Sequence, residues 1–284
     1  MSVLFNRGAS IVLGVRGDTS SIGDRIEGLR ILFNLTKDSS SNPHVGTIKI
    51  YNLSEMLWTY LQRDENIYVN LEIGYNNNRH ILFQGDVSRK MTKREKNGSD
   101  IITTIDVKDG AMALETAKLD KSYEAGISPI QIMKDVAQEF KKTGFVMIKN
   151  VFNTLTSPHK TITGMAVSGS AKETMDREAA ALDANWFINN NKLEVLPQGT
   201  STQTEMIVLT PESGLLDYPI ETPEGLHFKS LIITANMNPG QLVKIETDQI
   251  NGTYIMNKLK FAGDTHGNNW DVEGECQPLS EVGV

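Results

Sequence analysis

Apolar residues recur at every second position along both ends of this 284-residue chain, and that period builds strands, not helices. Ile67, Val69, Leu71 and Ile73 fall on one side, with Tyr68, Asn70 and Glu72 on the other. Leu29–Leu35 and Val45–Tyr51 read as earlier strands, and Ile81–Lys93 and Ile101–Val107 as later ones. Tyr75 to Asn78 reads as a turn, and Asn97-Gly98 between alternating runs is a hairpin signal. In the last third, 185–188 and 193–196 flank Asn189-Asn190-Asn191 as a second hairpin. Strands are then expected at 206–209, 228–234, 242–246, 254–261 and 270–275, with turns at Asn238-Pro239-Gly240, Asn251-Gly252 and His266-Gly267-Asn268.

Helices are short. Ser54 caps a helix running to Leu61, and Asp109 is placed to cap a turn through Leu114. Ser128-Pro129 opens a longer helix to Phe140, proline standing where its missing N–H costs nothing. Ile130, Met133, Val136, Ala137 and Phe140 form its apolar stripe, and Gly144 ends it. A further helix spans about 171–182, and 150–168 reads as an extended loop. The fold class is mainly β with short helices (α+β). An internal echo is visible: 69–72, a polar turn, then 81–83 matches 243–246, a polar turn, then 254–256. It reads either as a duplication or as the general likeness of any two strand pairs.

Charge divides the chain. Residues 1–150 carry 20 Lys and Arg against 18 Asp and Glu, whereas 151–284 carry 8 against 17. A globally basic nucleic-acid binder is therefore not the default. One cysteine, Cys276, leaves no disulfide framework within a chain and no multi-cysteine metal site. No apolar run is long enough for a membrane-spanning helix, so no membrane insertion is expected, and the first residues lack a secretory leader pattern.

Sites of chemistry are hard to assemble. His44, His80, His159, His227 and His266 are far apart, without a zinc-binding helix motif. There is no nucleophile elbow, and Gly14-Val15-Arg16-Gly17 is not a phosphate loop. Gly263-Asp264-Thr265-His266-Gly267 reads as a polar turn, and Glu173, Asp176 and Glu178 as a solvated helix face. No catalytic, cofactor-binding or metal residues are assigned. Two rival functions remain: a carbohydrate- or receptor-binding protein stacking sugars on Trp58, Trp186 or Trp270, and a cell-wall hydrolase using paired carboxylates.

The local charge anomaly is Arg89-Lys90-Met91-Thr92-Lys93-Arg94-Glu95-Lys96. As a strand it has no apolar face, so it cannot be held by its own packing. It is expected to lie in solvent or to meet an acidic surface, such as the 151–284 half of a neighbouring copy. Arg89, Lys90, Lys93, Arg94 and Lys96 are the interface candidates. Nucleic acid is the rival partner, but aromatic residues are not interleaved in the run.

The order of motifs resembles a known family. Asn42-Pro43-His44-Val45-Gly46-Thr47-Ile48-Lys49-Ile50-Tyr51-Asn52-Leu53-Ser54-Glu55 resembles a stretch of phage baseplate hub proteins, and Ile73-Gly74-Tyr75 with Phe83-Gln84-Gly85-Asp86-Val87 resembles their next element. Gly214-Leu215-Leu216, Asn238-Pro239-Gly240, Gly252-Thr253-Tyr254 and Gly263–Gly267 with Trp270 follow in the family's order, so that the likeness covers about 28–277. The resemblance is to hubs of contractile-tailed phages, similar to the T4 central hub and the hub part of type VI secretion spikes. It implies two β-barrel-like tube domains, 1–118 and 201–284, with a helix-containing connecting region at 119–200. It also implies a homotrimeric, non-enzymatic virion protein, made in the host cytoplasm, which joins the tail tube to the central spike and needs no cofactor. The implied partners are the spike, the tube or a tube-initiator protein, baseplate wedge proteins, and the tape measure protein and DNA in transit. If the hub is a conduit, its wall is expected to draw on the acidic half and avoid the basic run.

Overall fold

The computed structural model describes residues 6–15, 24–63, 67–76, 78–88, 92–144, 146, 152–156, 163–202, 205–223 and 225–279. The N-terminal part holds β1 (Arg7–Val15), β2 (Asp24–Ile26), β3 (Ile31–Asp38), β4 (Val45–Tyr51), α1 (Glu55–Leu61), β5 (Ile67–Tyr75), β6 (Asn78–Val87), β7 (Lys93–Asn97) and β8 (Asp100–Lys108). The middle holds α2 (Ala111–Thr116), β9 (Lys118–Tyr123), α3 (Pro129–Lys142), β10 (Met165–Ser170), α4 (Ala171–Ala180), β11 (Ala184–Asn189) and β12 (Lys192–Pro197). The C-terminal part holds β13 (Ile207–Leu209), β14 (Ile220–Thr222), β15 (Gly225–Leu231), β16 (Leu242–Glu246), β17 (Asn251–Asp264) and β18 (Trp270–Pro278).

Strands from both ends join one sheet. Among the described residues its path is β14-β15-β18-β17-β3-β4-β8-β6-β5-β1-β2, and pairing does not close it into a ring. The seam between the two ends is β17 against β3, antiparallel from Lys258↔Asp38 to Asp264↔Leu32. β17 is long enough to serve twice: residues 251–255 pair with β16, and 258–264 with β3. A turn locks the seam. Arg30 grips the Asp264 carboxylate with two bonds, at 3.2 and 2.7 Å, and Thr265 exchanges hydrogen bonds with the Ile31 backbone.

One apolar core lies beneath this sheet, drawing on Phe33, Ile48, Ile105, Phe261, Val272 and Phe228 from both ends. Large and small residues face each other across the strands. A Cβ on Gly263 would fall 2.2 Å from Phe33, on Gly46 2.2 Å from Leu35, and on Gly274 2.1 Å from Phe228. A second core, drawn from Ala113 to Val195, packs α3 on α4, with the Phe140 and Trp186 rings stacked at 5.7 Å.

The mainly β expectation holds, with local corrections. The strand expected over 81–93 stops at Val87 and a new one begins at Lys93. Asp109 is not the cap of α2: Gly110, in a left-handed conformation, takes that position, and the carboxylate accepts from Asn190 and Asn191 instead. Within the expected loop at 150–168, Met165 begins β10, which pairs with β9. The expected hairpins at Asn97-Gly98 and Asn190-Asn191 form, with Gly98, Asn190 and Asn191 all at positive φ. The internal echo extends to the antiparallel hairpins β5–β6 and β16–β17 but not to their neighbours. β1 runs antiparallel to β5, whereas β13 runs parallel to β16.

Gly263→Val should therefore cost about 2 kcal/mol or more, since the Phe33 ring it would push is buried against Trp270. Denaturant melts of this variant against Ala262→Val, which changes a half-exposed neighbour, test the packing. Equal midpoints would contradict it.

Candidate functional site: an assembly face

The other side of the sheet is polar, and register aligns it into rows. One row runs Lys229, Glu273, Lys260, Thr36, Val45, Lys108 across β15, β18, β17, β3, β4 and β8. The next runs Leu231, Asp271, Ala262, Asn34, Thr47, Asp106. A third begins Ile220, His227, Glu275, Lys258, Asp38. Every residue in these rows is at least partly exposed. Charges are matched across strands: Lys229 lies 3.2 Å from Glu273 and 3.6 Å from Asp271, and Lys258 and Lys260 each lie 3.7 Å from Glu275. Thr47 donates to Asp106 at 2.6 Å. A groove of about 720 Å³ runs along this face over Thr36, Thr47, Lys260 and Glu273. Such exposed pairs add little stability, so their balance bears on what the face will bind.

The basic run sits at the margin. Arg89 and Lys90 lie outside the described residues. Lys93 and Lys96 are exposed on β7, and Lys93 opposes Thr104, as does Lys49 of β4, so Lys93 lies on the polar side. Arg94 points the other way. It forms an ion pair with Glu55, donates to the Leu53 carbonyl at 3.3 Å and lies 5.6 Å from the Trp58 ring centre. The expectation that the run is held by no packing of its own therefore fails at Arg94.

Sequence reasoning missed the opposite margin. Leu216 and Tyr218, in the segment leading into β14, and Ile220 at its start are 47%, 62% and 67% exposed, and among the described residues β14 pairs only with β15. Their alternation with Asp217, Pro219 and Glu221 was the available signal.

A buried polar socket ties the middle segment to the sheet. The two-residue turn of the β11–β12 hairpin gives its Asn190 and Asn191 N–H groups to the Asp109 carboxylate, at 2.5 and 3.0 Å. Asn190 Oδ1 accepts from the Gln84 backbone at 3.0 Å. Lys37 is fully buried on β3 and donates to Asn238 at 3.0 Å and to Asn189 at 3.4 Å. His44 is also buried, with Nε2 2.8 Å from the Asp38 carbonyl and Nδ1 3.9 Å from Asp109. Desolvation pushes Lys37 down to about 7, against the pull of Asp109. Desolvation, helped by the Lys37 charge, pushes His44 down to about 4.

The remaining titratable groups are structural. Burial would raise Asp264, but Arg30 and the turn N–H groups outweigh it and hold the carboxyl below its ordinary range. Cys276 is buried, and its thiol is pushed up. The α4 carboxylates are not simply a solvated face: Asp176 accepts the Trp186 indole N–H at 2.8 Å, and Glu178 is buried beside Arg177. His80, His227 and His266 are exposed, and His159 lies outside the described residues. Among the described residues, no three His, Cys, Asp or Glu side chains are grouped to hold a metal, and no helix is long and apolar enough to cross a membrane.

Residues 12–276 match the family described as Baseplate hub gp41. The chain belongs to that family. Its members are structural components of the phage tail baseplate, which makes this a virion tail protein. No curated protein matches it in sequence. Its fold is similar to a 43 kDa tail protein of prophage MuSo2 from Shewanella oneidensis, at TM-score 0.63 and 9% identity, covering 96% of this chain and 99% of that one. It is similar to a tail protein from Neisseria meningitidis MC58, at TM-score 0.64 and 11% identity, covering 95% and 96%. It also resembles the E. coli c3393 protein, a type VI secretion component, at TM-score 0.62 and 10% identity, covering 95% and 77%.

Linkage fixes the pH behaviour of the socket. Between about pH 7 and 10.5 the unfolded chain holds a proton on Lys37 that the folded chain has lost, so stability rises with pH. From 6.5 down to about 4 only the unfolded chain takes a proton on His44, so stability falls as pH drops. Lys37→Met should flatten the alkaline rise in thermal midpoint, and Asp109→Ala should cost about 3–5 kcal/mol. A wild-type midpoint flat from pH 7 to 10 would contradict the burial of Lys37.

Proposed function

We propose that this hub protein is one subunit of a homotrimeric ring that joins the tail tube of a contractile tail to its central spike. The observation that carries the reading is the single sheet built from both ends of the chain. Residues 1–118 and 201–284 each supply a β-domain around a similar hairpin, and 119–200 connects them. Two such domains in each of three chains present six quasi-equivalent faces to the tube and three to the spike. The fold likeness to c3393, itself described as similar to the T4 tail proteins gp27 and gp5, supports a spike partner. Tube or tube-initiator and wedge proteins would meet the outer surfaces of the ring after synthesis in the host cytoplasm.

The polar face is our candidate for the channel wall. Lysines and carboxylates are interspersed in its first and third rows, and in its second Asp271 and Asp106 stand apart with three uncharged positions between them, so passing DNA or tape measure protein meets no extended patch of one charge. This wall draws on both halves of the chain, unlike the acidic lining expected from the sequence. The rival readings have less support. Trp186 and Trp270 are buried and cannot stack sugars, and Trp58 is half-buried beside Arg94.

Native mass measurement should give three times 31.5 kDa, and the trimer should bind the spike protein. A 31.5 kDa monomer at every concentration, with no spike binding, would contradict the ring. Replacing Asp271, Glu273 and Glu275 together by lysine should leave the trimer intact but slow DNA release, more so at low salt. Unchanged release would contradict the channel assignment.

A further inference from the structure

We infer that successive copies meet edge to edge, the β14 edge of one copy docking on the β7 edge of the next. The inference rests on the ring reading above and names the surfaces that build it.

Both edges are unfinished. Among the described residues β14 pairs only with β15, and β7 only with β8, so each leaves one row of backbone groups unpaired. Open edges of this kind attract other strands unless they are covered. Both also expose apolar side chains: Leu216, Tyr218 and Ile220 along one, and Met56 and Ile101 beside the other, at 72% and 37% exposure. Ile101 is the direct cross-strand neighbour of Lys96. The charges are opposite. Asp217 and Glu221 are exposed on the first edge; on the second Lys93 and Lys96 are exposed with Glu95 between them, which leaves that edge net positive. Electrostatic complementarity of this sort selects a partner and steers its approach.

Geometry favours a copy of this chain as the occupant. Ile220 and Lys93 both lie on the polar side of the sheet, one at each margin. Docking the two margins would carry the polar face from one copy to the next. The two patches differ, so the contact is head-to-tail, the kind that closes into rings. Lys93 at the margin would then face carboxylates of the neighbour instead of the channel. The Arg94 contacts with Glu55 and Trp58 brace the β7 hairpin before any partner arrives, which lowers the ordering cost of docking. Pro219 and Pro223 interrupt the outer segment, so a long ladder cannot run on and side-chain complementarity must set the register.

The test uses the full chain in sedimentation equilibrium, with three variants. Lys93→Glu with Lys96→Glu, and separately Asp217→Lys with Glu221→Lys, should each weaken self-association by about tenfold or more. All four residues are exposed, so both should melt like the wild type. The two pairs of changes combined in one chain should restore association. A second readout is Lys96→Cys with Glu221→Cys, which should give disulfide-linked oligomers on oxidation, Cys276 being buried. Undiminished association in both single-edge variants, with no cross-link, would overturn this contact while leaving the ring standing. Loss of spike binding with the trimer unchanged would also overturn it, assigning the edges to another partner. A wild-type chain that stays monomeric would sink the ring itself, and this contact with it.

Discussion

The pairing of β3 with β17 is the constraint from which the rest of the molecule follows. It joins segments more than two hundred residues apart in sequence, and through it two strand systems share one core and one polar face. The cost of closing so long a loop grows only slowly with its length, and the apolar contacts beneath the seam offset it. Register is then forced. A slip of one residue would send Phe33 and Phe261 to the polar side and Asn34 and Lys260 into the core. The Arg30 clasp on Asp264 and the glycines opposite Phe33, Leu35 and Phe228 hold the same alignment.

The middle segment depends on that sheet in turn. Its hairpin tip enters a socket whose parts come from β3, the end of β8, β6 and the loop at Asn238. A buried lysine and a buried carboxylate are costly on their own, and here they act by fixing where the hairpin docks. Removing the carboxylate strands two N–H groups and a charge, whereas replacing the lysine by methionine removes a desolvated charge and leaves a well-filled site. The socket therefore sets position more than it adds stability.

What could be read from the sequence was local. β4 and β16 were bounded correctly because their alternation is clean and turn residues flank them. The Asn190-Asn191 turn was legible because asparagine tolerates the positive φ that such hairpins need. β1 escaped notice because Val12 between Ile11 and Leu13 turns its alternation into a continuous apolar run. β9 escaped because only Leu119 and Tyr123 among its residues are buried. Asp109 looked like a helix cap from its neighbours, and its true partners lie some eighty residues away. The basic run was visible as charge, yet the bracing of Arg94 by Glu55 needed the fold to bring α1 beside β7. The apolar edge at 216–220 was written in plain alternation, but its proline-bounded setting made it look like a loop. The alignment of polar residues into rows across six strands depends on the seam, which no local pattern reveals.

In the proposed ring the polar face is the inner wall. The most direct measurement is electron cryomicroscopy of the assembled hub, at a resolution that places side chains. The expected result is three copies around the axis, with Lys229, Glu273, Lys260 and Thr36 turned toward the bore and the β14 edge of each copy beside the β7 edge of the next. A bore lined by other surfaces, with that row of residues facing outward, would contradict it.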